Sequence, residues 1–548
     1  MGEPRVPPCR EGGGPWGNHG FPHAMPEVGV EPTRPEGHGI LSPARLPVPP
    51  LRPPRMVTGP LRAFWYLDLV AVPRVRFAPW AQRADTSANV GRAGAETIHP
   101  KKRRNGLTAK KSVLALLGLL VAALALVASG CGGGDGGGVT ALPASSCADV
   151  EYGGEGDPDV LIASDLPMQG GDRVQTLQMT DAIRYVLEQR EWKAGDLNVA
   201  YQACDDSTAQ TGAWDSGKCA ENGANYAANE SMVGLVGTFN SGCAEVIIPL
   251  LNQAEGGAIA MVSPANTKVC LTTSVPSCAG TEPDKYYPSG ERNYARVVAL
   301  DDAQAATIAQ FVKDTLKLES VYIINDKQAY GLGLATNLES AFNFLDIEVK
   351  GNEGWDPKAS SYEALFNTVK ASGAQGVVFS GLVTLNGVKL IKDKFAVLGS
   401  NEEITLLAPD GFTPFTEVDK AGTPATTGMY VTVAGSSAEA LAAQGGAGAE
   451  FIEAYKSQFG VDRVEPYTAY AAQAAEVLLT AIDAAADDRA AIIDNIIGQS
   501  FDGILGQFTL SDEGDVDSGA VTVYQGPEWG DVTVITPSVE LVTAAGGG

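Results

Sequence analysis

From residue 160 onward, short apolar runs alternate with longer segments in which apolar residues recur every three or four positions. Continuous runs of Val, Ile and Leu are typical of strands buried on both faces, and the longer period is typical of amphipathic helices. The predicted strands span residues 160–163, 197–203, 232–237, 258–262, 320–325, 376–379, 405–408 and 429–433. The predicted helices span residues 177–188, 219–228, 244–254, 303–316, 332–344, 362–372, 386–398, 450–459 and 467–485, and the tail 501–523 returns to strands and turns.

Regular alternation of strands and helices implies parallel sheets that are covered by helices on both faces. The chain beyond residue 130 has about 418 residues, which is too long for one ordinary core and suits two lobes. We therefore predict an α/β protein with two Rossmann-like lobes. In sheets of this kind, ligands bind at the carboxyl ends of the strands.

The first 130 residues have a different composition. Residues 1–106 are rich in Pro, Gly and Arg without a hydrophobic period, which predicts either disorder or a leader upstream of a true start at Leu107. Residues 107–130 are typical of a signal peptide, because two lysines precede the apolar stretch 112–128. Ala128-Ser129-Gly130-Cys131 resembles the bacterial lipoprotein box, which implies lipidation of Cys131 and a flexible linker over residues 131–156. The alternative is an ordinary anchor helix with a chance cysteine.

Charge and histidine content narrow the functional classes. Residues 1–130 carry 17 Lys and Arg against 8 Asp and Glu, which leaves 22 against 57 in residues 131–548, a net charge of −35. That balance argues against nucleic acid as a partner. All four histidines precede residue 100, which excludes a Ser-His-Asp site and a His-ligated metal from the rest of the chain. We predict a protein that is not an enzyme and has no metal or cofactor.

Six cysteines follow residue 131, an even number that suits up to three disulfides outside the cytoplasm. They are Cys147, Cys204, Cys219, Cys243, Cys270 and Cys278. Cys270 and Cys278 are close enough in sequence to close a small loop. Spacing alone leaves the other pairings open.

The loops that follow the predicted strands are polar. Residues 164–170, 238–242 and 263–267 place hydroxyls, amides and backbone N–H groups before helices, an arrangement suited to a carboxylate. Ordinary N-capping is the alternative for any single loop. In the second half, Asp410 is placed to pair with an ammonium group and Tyr330 to form an aromatic wall. Together these loops suit an α-amino acid.

Six motifs along the chain carry a family resemblance. They are FNSG (239–242), VSPANT (262–267), NDKQAYGLGLA (325–335), PDG (409–411), GMYVT (428–432) and FDGILGQFTLSDEGD (501–515). The chain resembles the type I periplasmic binding proteins, in the leucine/isoleucine/valine-binding branch of ABC-transporter receptors, from about residue 160 to residue 535. The resemblance implies two lobes joined by three hinge crossovers. It assigns residues 157–298 and 434–500 to lobe 1, and residues 299–433 and 501–535 to lobe 2.

The resemblance also implies roles for single residues. Ser241, Ala265 and Thr267 match positions that bind a ligand's α-carboxylate, Asp410 matches the acid that binds the α-ammonium, and Tyr330 lines the cleft. Leu382 stands where relatives have a tyrosine, and the loop after the first strand is shorter than usual, so branched-chain specificity does not follow. The predicted ligand-binding residues are Leu166, Gln169, Asn240, Ser241, Ala265, Thr267, Tyr330, Leu382 and Asp410.

The family further implies a disulfide near Cys204 and Cys243, while an intervening insertion with Trp214 and Cys219 offers Cys204–Cys219 instead. We expect an extracytoplasmic solute-binding lipoprotein of an ABC importer, held by lipid at the outer face of the cytoplasmic membrane or periplasmic. Its expected partners are a small amino acid or amide-like solute, a permease with its ATPase, and the membrane. The alternatives are a ligand-sensing module for a signalling partner and an envelope hydrolase, which the missing histidines disfavour.

Overall fold

A computed structural model of the chain describes residues 138–548. The predicted leader over residues 1–106, the predicted signal peptide over residues 107–130 and the predicted lipidation site at Cys131 lie outside these residues. Within residues 138–548, no helix is both long enough and apolar enough to cross a membrane.

The strands and helices follow the predicted alternation closely. The strands are β1 (Val160–Leu166), β2 (Lys193–Ala194), β3 (Leu197–Asp205), β4 (Met232–Gly237), β5 (Ala260–Ser263), β6 (Tyr294–Arg296), β7 (Ser320–Asn325), β8 (Glu348–Gly354), β9 (Gly376–Ser380), β10 (Thr405–Ala408), β11 (Tyr430–Ala434), β12 (Ser500–Gly503), β13 (Gly506–Thr509), β14 (Val521–Gln525) and β15 (Gly530–Ile535). The helices are α1 (Arg173–Gln189), α2 (Ser216–Ala227), α3 (Ser241–Asn252), α4 (Asp301–Phe311), α5 (Ala329–Phe344), α6 (Glu363–Ser372), α7 (Gly387–Leu398), α8 (Phe415–Val418), α9 (Thr423–Thr426), α10 (Ala438–Gln444), α11 (Gly446–Phe459), α12 (Thr468–Ala485), α13 (Arg489–Asp494) and α14 (Val539–Ala545).

Lobe 1 is built on a six-stranded sheet in the order β2-β3-β1-β4-β5-β6. Its strands are parallel except for β2, which pairs antiparallel with β3. Strands β1, β4 and β5 are buried at every position, which explains why their sequences are continuous apolar runs. The strand order reverses between β1 and β4, the point at which sheets of this kind bind ligands.

Lobe 2 is built on a seven-stranded sheet in the order β15-β14-β11-β10-β9-β7-β8. The strands from β8 to β11 are parallel, whereas β14 and β15 form an antiparallel edge. The order reverses between β7 and β9. The predicted architecture of two α/β lobes with parallel sheets is therefore confirmed, with an antiparallel addition at one edge.

The chain passes between the lobes three times, as predicted. It leaves lobe 1 between β6 and α4, returns between β11 and α10, and leaves again between β13 and β14. The predicted boundary at residue 501 comes too early, because the β12–β13 hairpin packs on α11 and α12 of lobe 1. The N–H of Leu505 donates to Gln473 Oε1 at 3.0 Å, and the N–H of Arg296 donates to the carbonyl of Gly514 at 2.9 Å. Lobe 2 also continues past residue 535, since α14 packs on α4 and α5.

The predicted flexible linker is wrong for residues 138–156, which lie along the outer side of β3. Backbone N–H groups of Ala148 and Glu151 donate to the carbonyls of Ala203 and Tyr201, each at 2.8 Å. The side chain of Leu142 is buried. A disulfide between Cys147 and Cys204 fixes this segment to lobe 1.

The disulfide pairing differs from both arrangements that the sequence offered for Cys204. Cys204 pairs with Cys147, and Cys219 pairs with Cys243. Neither Cys204–Cys243 nor Cys204–Cys219 forms, because the segment around residue 147 runs alongside the end of β3. The small loop between Cys270 and Cys278 is closed by a disulfide, as predicted.

Candidate functional site

The two lobes face each other across a cleft at the carboxyl ends of their strands. The cleft is narrow, with a cavity volume of about 20 Å³. Its walls are formed by Trp214, Phe239, Asn240, Ser241, Gly242, Ala265, Thr267, Gln328, Ala329, Tyr330, Leu382, Asp410, Gly411 and Tyr467. The loops after β4, β5, β7, β9 and β10 all contribute, so the cleft lies at the carboxyl ends of strands from both lobes.

On the lobe 1 side, the wall consists of the first turn of α3 and the loop after β5. Asn240 is the N-cap of α3, and its side chain makes no capping hydrogen bond. The first turn of this 12-residue helix presents backbone N–H groups and the Ser241 hydroxyl toward the cleft. A helix N-terminus carries partial positive charge, which favours a carboxylate at this position.

The loop after β5 is shaped by the hydroxyl of Ser263. Ser263 Oγ accepts hydrogen bonds from the N–H groups of Ala265 at 3.1 Å and Asn266 at 2.9 Å. The same hydroxyl donates to the carbonyl of Thr238 at 3.0 Å, so this loop is tied to the loop after β4. The consequence is that Ala265 and Thr267 lie beside α3, on the same wall of the cleft.

The side chain of Arg296 forms hydrogen bonds with that loop. Its guanidinium is fully buried and donates to the carbonyls of Asn266 at 3.0 Å and Lys268 at 2.8 Å. It also forms an ion pair with Asp515, with Nε 2.8 Å from Oδ1. Because Asp515 belongs to the third crossover, one buried arginine links the ligand-facing loop to the hinge.

On the lobe 2 side, Asp410 follows β10 and is 6 % exposed. Tyr330 donates a hydrogen bond to Oδ1 of Asp410, and Tyr467 donates to Oδ2 at 2.8 Å. Burial raises the pKa of Asp410, and these two hydrogen bonds partly oppose the shift. Within the described residues Asp410 forms no ion pair, so a ligand ammonium would supply the missing counter-charge.

A second carboxyl group lies close to Asp410. Asp301, the first residue of α4, is fully buried, and neither of its carboxyl oxygens has a hydrogen-bond partner in the part of the chain that the structure describes. Burial and the charge of Asp410 both raise the pKa of Asp301 well above the usual value. The lobe 2 side of the cleft therefore carries the carboxyl group of Asp410, while the lobe 1 side offers N–H and hydroxyl donors.

The structure brings most of the predicted ligand-binding residues to the cleft. These are Asn240, Ser241, Ala265, Thr267, Tyr330, Leu382 and Asp410. The predictions for Leu166 and Gln169 are wrong. Leu166 is fully buried within lobe 1, and the Gln169 amide donates to Asp205 Oδ2 at 2.7 Å instead of reaching the cleft.

Sequence reasoning missed Trp214, Phe239 and Tyr467, which provide aromatic surface. Tyr467 precedes helix α12 and follows no strand, so a search of loops after strands does not find it. Trp214 belongs to the loop between β3 and α2. Its place in the insertion between Cys204 and Cys219 was the one available signal. Phe239 and Tyr467 meet edge to face, with ring centroids 5.9 Å apart.

This geometry defines a two-lobed α/β protein with a cleft between its lobes. The family model described as periplasmic binding protein matches residues 194–527. The chain belongs to the type I periplasmic binding proteins, in the branch that contains the Leu/Ile/Val-binding proteins. This is a family of solute-binding proteins and not of enzymes.

Several relatives illustrate the membership. The chain is 26% identical over 392 residues to the Leu/Ile/Val-binding protein BraC3 of Rhizobium johnstonii, which covers 70% of this chain and 96% of that protein. It is 26% identical over 196 residues to the leucine-, isoleucine-, valine-, threonine- and alanine-binding protein of Pseudomonas aeruginosa. This alignment covers 34% of this chain and 48% of that protein. Its fold is similar to that of a leucine-binding protein from Thermotoga maritima, with a TM-score of 0.58 and 22% identity. The superposition covers 69% of this chain and 99% of that protein.

Proposed function

We propose that this protein is the extracytoplasmic receptor of an ABC importer and that it binds an L-α-amino acid with an aliphatic side chain. One observation carries the proposal: the N-terminus of α3 and Asp410, which has no ion-pair partner within residues 138–548, form opposite walls of the same cleft. A zwitterionic amino acid places its carboxylate and ammonium a few ångströms apart, which fits donors on lobe 1 and an acid on lobe 2.

The remaining walls of the cleft favour a ligand with an apolar side chain. Phe239 and Leu382 supply hydrocarbon surface, and the tyrosine hydroxyls of the cleft are already engaged with Asp410. Burying an aliphatic side chain contributes about 1.5–3 kcal/mol. The names of the relatives from Rhizobium johnstonii and Pseudomonas aeruginosa, which include leucine, isoleucine and valine, agree with this choice.

The binding cycle follows from the arrangement of the lobes. The ligand carboxylate first occupies the α3 terminus of the open lobe 1, and rotation about the three crossovers then brings Asp410 onto the ammonium. Closure removes water from both charges, which strengthens each contact. The closed receptor delivers the amino acid to a membrane permease, while lipid on Cys131 keeps it near that permease.

A thermal-shift screen of the purified protein tests the ligand. L-leucine, L-isoleucine, L-valine and L-alanine should raise the melting temperature, whereas 4-hydroxybenzoate, which lacks an ammonium, should not. Asp410→Ala should abolish the shift. Asp206→Asn, which changes a buried carboxylate of lobe 1 outside the cleft, serves as the control and should retain it.

Two outcomes decide against the proposal. Stabilisation by an aromatic acid without stabilisation by amino acids would reassign the ligand. An unchanged leucine shift in Asp410→Ala would remove Asp410 from the site. Lipidation is tested separately, because Cys131→Ser should lose incorporation of an alkyne-labelled fatty acid and release the protein from the membrane.

A further inference from the structure

Trp214 lies between the two lobes and lines the cleft. Its indole packs on the apolar cluster of lobe 1 that includes Tyr226 and Ile247. It also packs on the lobe 2 cluster that includes Tyr330 and Leu334. Within the described part of the chain, it is the one lobe 1 side chain that joins this lobe 2 cluster.

The indole lies directly on the first turn of α3. A Cβ added to Gly242 would be 2.5 Å from Cη2 and 2.7 Å from Cζ2 of Trp214, so the ring touches backbone that only glycine leaves open. Gly242 is next to Ser241, which lines the proposed carboxylate site. The ring therefore covers the end of the cleft where the carboxylate would bind, an end that all amino acids share.

The loop that carries Trp214 is firmly held. The N–H of Asp206 donates to the carbonyl of Leu166 at 3.2 Å, and the N–H of Asp215 donates to the carbonyl of Asp206 at 2.9 Å. The disulfides at Cys204 and Cys219 flank the loop on either side. The second of these disulfides joins α2 to the first turn of α3, so the loop is tied covalently to the α3 terminus.

We propose that Trp214 is a positioning residue that latches the closed cleft over the ligand carboxylate. The proposal rests on the proposed function. When lobe 2 closes, its apolar cluster meets the indole, and the contact excludes water from the N–H groups of α3. Because the indole covers the carboxylate end, its loss should weaken all amino-acid ligands alike and should act mainly on the dissociation rate.

Titration calorimetry and stopped-flow release with L-leucine and L-alanine test the latch in the full chain. Trp214→Ala should weaken both ligands about tenfold or more, with a matching increase in dissociation rate. Trp214→Phe should lose less affinity than Trp214→Ala. Trp529→Phe, a buried tryptophan stacked on Phe415 away from the cleft, should bind as the wild type does. Equal dissociation rates in Trp214→Ala and the wild type would overturn the proposal.

Gly242→Ala provides a second, ligand-free test, because the added methyl group should push the indole off α3. The fluorescence of Trp214 is obtained by subtracting the fluorescence of a matched Trp214→Phe protein. Quenching of this fluorescence by acrylamide should increase in Gly242→Ala. Unchanged quenching would refute the contact with α3. If no amino acid binds the wild type, the proposed function fails, and this measurement still decides whether the indole covers the α3 terminus.

Discussion

The hydroxyl of Tyr467 donates a hydrogen bond to Oδ2 of Asp410 at 2.8 Å, and this bond joins the two lobes. Tyr467 immediately precedes α12 of lobe 1, whereas Asp410 follows β10 of lobe 2. Tyr330, from lobe 2, donates to the other carboxylate oxygen. The acid that should bind the ligand ammonium is thus held by one tyrosine from each lobe.

Tyr467→Phe should weaken binding of an amino acid by about tenfold or more, because a hydrogen bond to a charged group contributes about 1.5–3 kcal/mol. The fold should be retained, since the ring still packs on Phe239. Isothermal titration with L-leucine measures the change. Tyr470→Phe, one turn along the same helix, loses only a bond to the carbonyl of Ser436 and should bind normally. Equal affinity in both variants would show that the bond between the lobes does not support binding.

The fold was predictable where burial leaves a clear sequence pattern. Strand β7 is buried at every position and has the bounds that its apolar run predicts. Strand β8 was missed because Glu348–Gly354 is a partly exposed strand at the edge of the sheet, and neither sheet face demands an apolar run there. Edge position is a property of the assembled sheet, which local periodicity does not record.

The candidate site was predictable only in part, for a similar reason. Ser241 and Asp410 directly follow strands, so the rule that ligands bind at strand ends found them. Trp214 and Tyr467 reach the cleft through tertiary packing of a loop and a helix end. Likewise, Cys147 pairs with Cys204 because residues 147–151 lie beside β3, a contact with no counterpart in cysteine spacing.

Removing that disulfide should destabilise the protein without affecting the site. The bond between Cys147 and Cys204 closes a loop with a sequence separation of 57. Closing a loop of this size contributes about 4 kcal/mol in the chain-entropy model. Cys147→Ser with Cys204→Ser should therefore lower the melting temperature measured by circular dichroism, while the leucine affinity of the folded protein stays the same. The Cys270→Ser/Cys278→Ser protein, with a separation of only 8, should lose less stability.

Arg296 should matter to both stability and binding. Asp515→Ala leaves its buried guanidinium without the carboxylate partner, a change that costs about 3–5 kcal/mol in comparable buried pairs. The loop with Thr267 then loses its fixed support, so leucine affinity should fall as well. Urea unfolding and calorimetry measure the two effects. Asp517→Ala is the neighbouring control, and its carboxylate, which accepts from the N–H of Thr509, lies away from the arginine. If Asp515→Ala has the same free energy of unfolding as the wild type, Arg296 does not have this role.

The buried carboxyl group of Asp206 should make the folding stability of the protein depend on pH. The Asp206 side chain is fully buried in lobe 1, and neither carboxyl oxygen has a partner in the described part of the chain. Burial, together with the charge of the nearby Asp165, raises the pKa of Asp206 well above the usual value. Burial likewise raises the pKa of Asp165 to about 7. An acid with a raised pKa in the folded state holds its proton more tightly there than in the unfolded chain. Stability from these groups is therefore greatest near pH 4 and is lost as the pH rises toward 7.

Asp206→Asn removes the ionisable group and keeps its shape, so it should stabilise the protein at pH 8 by about 1–3 kcal/mol. The advantage over the wild type should shrink as the pH falls to 5, where the wild-type carboxyl is protonated. Urea unfolding at both pH values measures the free energy of unfolding. The adjacent Asp205→Asn is the matched control. The Asp205 carboxylate accepts hydrogen bonds from Met168, Ser207 and Gln169, so its replacement should destabilise the protein at both pH values. A loss of stability in Asp206→Asn at pH 8 would mean that the buried carboxylate is satisfied by a group that an amide cannot bind.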